Sequence, residues 1–177
     1  MKAIDVAGFE GKFRENIDPW DYTNSRFEHF KRTVLLRACG HGKHGRALEL
    51  GCAIGETTRH LAPLCLRLVA LDGSPTAIAE AKRRVQSAHV RFMLAKLPGQ
   101  MPHGPFDLIV VSEIAYYLSV HELALLWQIF SGTGFPNQFF NDSWVVGFWR
   151  ADHGRHDVEL GRRASRMAQA VLGSPGP

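Results

Sequence analysis

The chain has 177 residues, of which 45% are apolar and 21% charged, with a formal net charge of +4. That balance is ordinary for a soluble globular protein with one core, and it argues against disorder. The basic residues are scattered, Arg83 and Arg84 in one segment and Arg162, Arg163 and Arg166 in another, which argues against a continuous face for nucleic acid.

Residues 1–20 are mixed and close on Pro19. Phe27, Phe30, Val34, Leu35 and Cys39 fall near helical spacing and predict a helix over 24–39, followed by a glycine- and histidine-rich loop, GHGKHGR, at 40–46. Strands and helices then alternate. A strand at 47–50 enters a glycine turn, a helix covers 56–64, and a second strand at 66–71 ends on Asp72 and Gly73. Ser74 and Pro75 open a helix to about 87, Ser as N-cap and Pro at the first helical position. A strand follows at 89–94. FDLIVVS at 106–112 has the unbroken apolar run of a strand covered on both faces. A helix at 120–130, a strand at 144–149 and a last helix at about 158–172 complete the reading. Such alternation predicts an α/β fold with a parallel sheet of Rossmann-like type and helices on both faces.

The segment ELGCAIG, from Glu49 to Gly55, lies between the first strand and its helix, where ligands bind in such sheets. Gly51 and Gly55 let backbone approach a ligand closely, but their spacing is not that of a pyrophosphate-binding G-x-G-x-x-G turn. Glu49 would repel a pyrophosphate and suits a ligand carrying an ammonium group. Asp72, about 20 residues after the turn, sits where an acidic side chain accepts hydrogen bonds from ribose hydroxyls.

ALELGCAIGETTRHLA, LVALDGSPTAIAEAKRR and FDLIVVSEIAYYL together resemble the class I methyltransferases that use S-adenosyl-L-methionine (SAM). SEIAYYL and the aromatic stretch Asp18-Pro19-Trp20-Asp21-Tyr22 are similar to the NodS-like group, N-methyltransferases acting on the amino sugar of a chitooligosaccharide. The resemblance implies that Glu49, Gly51 and Gly55 line the methionine part of SAM, with Cys52 among the cofactor-binding residues, though it also reads as a small buried residue. It places the ribose at Asp72 and the adenine near Gly73 and Ser74. A position after the third strand that often holds an adenine-binding Asp is here Ala95-Lys96-Leu97. A lysine cannot accept the bond from the adenine amino group, so either a backbone carbonyl replaces it or affinity falls.

Methyl transfer requires alignment of a nucleophile and exclusion of water. Ser112, Glu113, Tyr116 and Tyr117 stand at the end of the fourth strand, adjacent to the glycine turn. Ser112 is expected beside the cofactor, Glu113 as proton acceptor or ammonium anchor, and Tyr116 or Tyr117 against the acceptor. Glu113 also reads as a helix-start carboxylate, and one tyrosine of the pair as a core residue. Trp20 and Tyr22 are expected to cover the cofactor, and Arg26 to meet its carboxylate. The expectation is one domain over 1–177, residues 1–40 being a helical lid and 41–177 the α/β core.

Other features bound the reading. The last segment reads as helix where such folds finish with an antiparallel hairpin, so the C-terminal strands read as truncated. The fifth strand is then a free edge, for which a homodimer is one cover. Alternatives to N-methylation are an O-methyltransferase of another small acceptor and a SAM-fold protein that binds without catalysis. His41 with His44 and His153 with His156 lack a third ligand, so no metal is expected. Cys39, Cys52 and Cys65 form no disulfide or zinc pattern, consistent with a reducing cytoplasm. The first residues lack a signal-peptide pattern, and no apolar run is long enough for a membrane.

Overall fold

A computed structural model describes residues 5–40, 42–112, 114, 117–131, 144–151 and 155–162. In chain order these form α1 (Val6–Glu15), α2 (Arg26–Ala38), β1 (His44–Leu50), α3 (Glu56–Leu61), a 3₁₀ turn (Ala62–Leu64) and β2 (Cys65–Asp72). Then come α4 (Pro75–Arg84), β3 (Val90–Leu94), β4 (Leu108–Ser112), α5 (Val120–Ser131), β5 (Trp144–Ala151) and β6 (Arg155–Arg162).

The strands form one sheet in the order β3-β2-β1-β4-β5-β6, parallel from β3 through β5, with β6 antiparallel to β5. The sequence order reverses between β1 and β4, and open α/β sheets bind ligands at the carboxyl ends of the strands beside such a reversal. Strand alternation divides the core into two layers. Leu48, Leu50, Leu71, Ile109 and Val111 face Leu126 of α5, whereas Ala47, Leu68, Leu108 and Val110 face Leu35 of α2 and Leu61 of α3. Ala70 packs with Ile78 of α4. Helices therefore cover both faces, as the apolar runs of β1, β2 and β4 require.

Three readings from the sequence are corrected here. Residues 5–15, read as mixed, contain α1, which starts on Asp5 as N-cap, its side chain accepting a bond from the Gly8 N–H at 2.8 Å. Residues 158–162, read as helix, are strand β6, whose backbone pairs with β5 from Trp144↔Arg162 to Ala151↔Arg155. One strand thus follows β5, among the described residues, in place of the two of a terminal hairpin, and the β5 edge is not free. The edge argument for a homodimer lapses with it. His44, read as a loop residue, begins β1 and bonds the Cys39 carbonyl through Nε2 at 2.8 Å. The remaining helix segment, 163–172, lies outside the described residues, as do His41 and His153.

Among the described residues no helix is long and apolar enough to cross a membrane, and no cluster of three metal-ligating side chains occurs.

Candidate functional site

Four strand ends converge on one cavity of about 440 Å³, within the usual range for small-molecule sites. Gly51 and Ala53 follow β1, Asp72 to Ser74 end β2, Ala95 to Leu97 follow β3, and Ser112 and Ile114 end β4; all line it. Asp5, Val6, Phe9, Phe13, Trp20 and Tyr22 close it from the N-terminal side, and Tyr117 to Ser119 with Glu122 from the start of α5.

The floor is built by backbone. The Gly51 and Cys52 N–H groups both donate to the Leu71 carbonyl, at 2.8 and 2.9 Å, tying the glycine turn to the end of β2. Gly51 takes φ +73 and Ala53 φ +46, conformations in the left-handed region. Asp72 joins the two turns: Oδ2 accepts from the Ala53 N–H at 2.9 Å and Oδ1 from the Ser74 N–H at 2.8 Å. Burial pushes its carboxyl above the ordinary range, while amides of Ser74, Ala53 and Gly73 pull the other way. The carboxylate lies in the cavity wall with each oxygen holding one backbone donor, and a carboxylate has about four acceptor sites, leaving some for a ligand.

The roof is aromatic. Phe9 meets Tyr117 edge-on at 4.6 Å and lies 5.9 Å from Trp20, which in turn stands 5.6 Å from Phe13 and 5.8 Å from Tyr22. Asp18 shapes the turn that presents Trp20 and Tyr22, accepting from the Tyr22 N–H at 2.7 Å and the Thr23 N–H at 3.1 Å. Glu10 fastens α1 to the head of α4 by accepting from the Ser74 hydroxyl at 2.6 Å and the Thr76 hydroxyl at 2.7 Å. Those bonds hold its carboxyl below the usual range. Gly73 leaves room beneath this helix: a Cβ there would stand 3.0 Å from Cγ1 of Val6, which would have to give by a few tenths of an ångström.

Seven of the residues singled out from the sequence as cofactor neighbours line this cavity: Trp20, Tyr22, Gly51, Asp72, Gly73, Ser74 and Ser112; Tyr117, singled out as a candidate acceptor residue, lines it too. Glu113 and Tyr116 lie outside the described residues. Four others are not in the wall. Glu49 is 1% exposed and turns to the opposite face of β1, where it accepts from the Thr58 hydroxyl at 2.6 Å. Its neighbours Leu48 and Leu50 occupy the α5 face, so strand alternation sends it beneath α3. Cys52 is buried against Ala70 and Ile78. Gly55, at φ +80, makes room for α4: a Cβ would meet Cα of Ala81 at 3.2 Å. Arg26 is exposed on the first turn of α2. The buried arginine is Arg32, which ties α2 to α3 through Glu56 at 3.6 Å.

Sequence reasoning missed Asp5, Val6, Phe9, Glu10 and Phe13. Their signal was an acidic N-cap followed by apolar residues three, four and seven positions apart, diluted by Gly8 and Gly11.

Burial raises the Glu49 carboxyl to about 7 from 4.5, with the Thr58 hydroxyl opposing and the Asp72 charge adding. Because the folded value lies above the unfolded one, the protein binds the extra proton when folded, and stability falls as pH rises from about 4.5 to about 7. The loss is on the order of 3 kcal/mol and levels off above that window. Glu49→Gln keeps an acceptor for Thr58 and removes the titration. Urea unfolding across this range is expected to show a flatter pH profile for the variant; an unchanged slope would refute the assignment.

The comparisons with known proteins agree with this geometry. The family model for nodulation protein S (NodS) matches residues 11–127. Nodulation protein S of Sinorhizobium fredii strain NGR234 is 40% identical over 103 residues, covering 57% of this chain and 48% of its own length. The Rhizobium tropici protein of the same name is 39% identical over 103 residues, 57% of this chain and 43% of its own. This chain therefore spans about half the length of the curated relatives it matches. Among solved structures, the N-methyltransferase NodS from Bradyrhizobium japonicum WM9, in complex with S-adenosyl-L-homocysteine, matches with TM-score 0.76 and 25% identity. That match covers 94% of this chain and 84% of the solved one. With two thirds of its residues inside the family model, on a sheet of the family's architecture, the chain belongs to the NodS family.

Proposed function

We propose that the chain is a SAM-dependent N-methyltransferase whose acceptor is a small amine, an amino sugar of a chitooligosaccharide in the first instance. The observation that carries this reading is Asp72, a half-buried carboxylate in a cavity wall beside bare, positive-φ backbone at Gly51. That pairing suits a ribose at the strand end and a flexible amino acid tail over the glycine turn. The donors fit such a group: an acceptor at Asp72, small residues at Gly51, Ala53 and Gly73, and an aromatic cover.

When bound, SAM supplies an electrophilic methyl group. The protein's own part is to orient and to dry. Asp72 accepts from the ribose hydroxyls, Gly73 and Ser74 border the nucleobase, and Gly51 and Ser112 flank the methionine end. Phe9, Trp20 and Tyr22 exclude water from above. Tyr117, braced by the Phe9 ring edge, orients the acceptor, while Glu113 takes the proton that the amine must lose. Glu49 acts from below through Thr58, fixing the first turn of α3 under the glycine turn. Residues 5–22 serve as the lid, while α2 packs Leu35 into the core and belongs to the α/β body.

Calorimetry with S-adenosyl-L-homocysteine, followed by mass analysis of a de-N-acetylated chitooligosaccharide incubated with SAM, tests both halves. Binding and one added methyl on the free amine are expected, with the N-acetylated oligosaccharide left unmodified. No binding at millimolar ligand would end the cofactor reading, and methylation of the acetylated sugar would shift the acceptor to a hydroxyl.

A further inference from the structure

The cavity follows an extended ligand from the β1 and β4 ends, through Asp72 at β2, to the β3 end at Ala95 and Lys96. A nucleoside whose ribose sits at Asp72, and whose tail lies over Gly51, must send its base toward β3. This rests on the cofactor placement proposed above. A 6-aminopurine there offers an exocyclic N–H₂ that needs an acceptor when buried. Lys96, in the lining, has only donors on its side chain, and its backbone carbonyl already accepts from the Gln100 N–H at 2.9 Å.

The strand end offers only the Ala95 backbone carbonyl as acceptor, and the helix above supplies a charged one. Val6 stands directly over Gly73, and the Cβ position of Gly73 lies between Val6 Cγ1 at 3.0 Å and the Ala95 carbonyl at 3.9 Å. Asp5, the residue before Val6, lines the same cavity. Its Oδ1 accepts from the Gly8 N–H as the helix N-cap, and a carboxylate retains a second oxygen for another donor. Glu10, one turn and more along α1, holds the helix in place through Ser74 and Thr76. Ser74 is itself buried, and its hydroxyl also caps α4 by accepting from the Ala77 N–H at 3.0 Å.

We infer that Asp5 reads the 6-amino group of the cofactor's purine, so that base recognition is carried by the lid helix and not by the strand end. Two consequences follow. Selectivity for adenine over a 6-oxo purine depends on α1 being seated, and the Glu10 contacts to Ser74 and Thr76 position the reading group.

The test uses the full chain and two probes, S-adenosyl-L-homocysteine and S-inosyl-L-homocysteine, which differ at position 6 in carrying an amino or an oxo group. Calorimetry on the unaltered protein is expected to favour the adenosyl compound by about tenfold or more, since a bond to a charged group contributes roughly 1.5–3 kcal/mol. Asp5→Asn retains a good N-cap, so α1 keeps its start. With its carbonyl oxygen on the Gly8 N–H, its amide N–H₂ turns toward position 6, where it opposes the amino group and suits the oxo group. The preference should fall to near unity or invert, with the thermal midpoint of the unliganded protein unchanged. A tenfold preference that survives Asp5→Asn, or no preference in the unaltered protein, overturns the Asp5 assignment alone. Failure of both compounds to bind the unaltered protein overturns the cofactor placement and this inference together.

Discussion

Asp72→Ala is expected to weaken binding of S-adenosyl-L-homocysteine by at least about 100-fold while leaving the fold intact. Two effects compete in the unliganded protein. Removing a carboxylate that burial has pushed upward relieves a desolvation cost, but it orphans the Ala53 and Ser74 N–H groups. Each unsatisfied buried donor costs roughly 1–3 kcal/mol, and relief of the buried charge offsets part of that. The unfolding midpoint is therefore expected to fall by less than the two orphaned donors alone would cost. No such offset exists for the ligand: two bonds from ribose hydroxyls to a charged acceptor, at roughly 1.5–3 kcal/mol each, are lost outright. Asp72→Asn separates the terms further. Its single oxygen can serve one of the two backbone donors, and its N–H₂ faces the other, so an intermediate loss of about tenfold is expected. Affinity within about threefold of the unaltered protein in Asp72→Ala, measured by calorimetry on folded material, would remove the ribose from this position.

The sequence made the sheet and the position of the cavity legible because both are written in strong local patterns. LVALD and LIVVS are unbroken apolar runs, and Ser74-Pro75 is a helix start that the structure realises, with the Ser74 hydroxyl accepting from the Ala77 N–H. Topology then places four strand ends together without further information. The direction in which a side chain points was harder. Glu49 belongs to the same short motif as Gly51, yet the alternation of Leu48 and Leu50 toward α5 decides that it cannot reach the cavity. Parity along the strand carried that information, and motif position did not. Gly55 is a similar case: its positive φ is genuine, but the space it leaves is taken by Ala81 and Val85 and not by a ligand.

The helix α1 was illegible for a different reason. VAGFEGKFRE contains two interior glycines, each costing on the order of 1 kcal/mol of helix propensity. Its stability comes from tertiary partners far along the chain: Glu10 on Ser74 and Thr76, and Phe9 on Tyr117. Strand β6 shows the same dependence. Arg155 to Arg162 carries only a short alternation, Asp157-Val158-Glu159-Leu160, and its conformation follows from pairing with β5. In both places nonlocal contacts override local preference, which no reading of a short window can supply.

Gly51→Ala is the second large effect expected, and its comparison with Gly55→Ala separates folding from binding. Both glycines sit at positive φ, +73 and +80, where an added Cβ costs roughly 1–2 kcal/mol. Both also lack room: the Cβ at 51 runs into Cγ2 of Ile114, and the Cβ at 55 meets Ala81 Cβ at 3.1 Å and Val85 Cγ2 at 3.3 Å. Overpacking adds roughly 1–3 kcal/mol, so each variant should melt roughly 5–15 °C lower, given about 2–4 °C per kcal/mol in a domain this size. Their effects on the ligand diverge. Ile114 and Gly51 are in the cavity wall, and the Gly51 N–H anchors the turn to Leu71, so displacing them narrows and tilts the floor under the methionine end. Gly55 faces α4, away from the wall. Calorimetry at a temperature where both variants remain folded should show Gly51→Ala without measurable affinity for S-adenosyl-L-homocysteine and Gly55→Ala within about tenfold of the unaltered protein. Equal losses would mean that the two glycines serve the packing of the turn alone, and the bare backbone at Gly51 would no longer argue for a ligand.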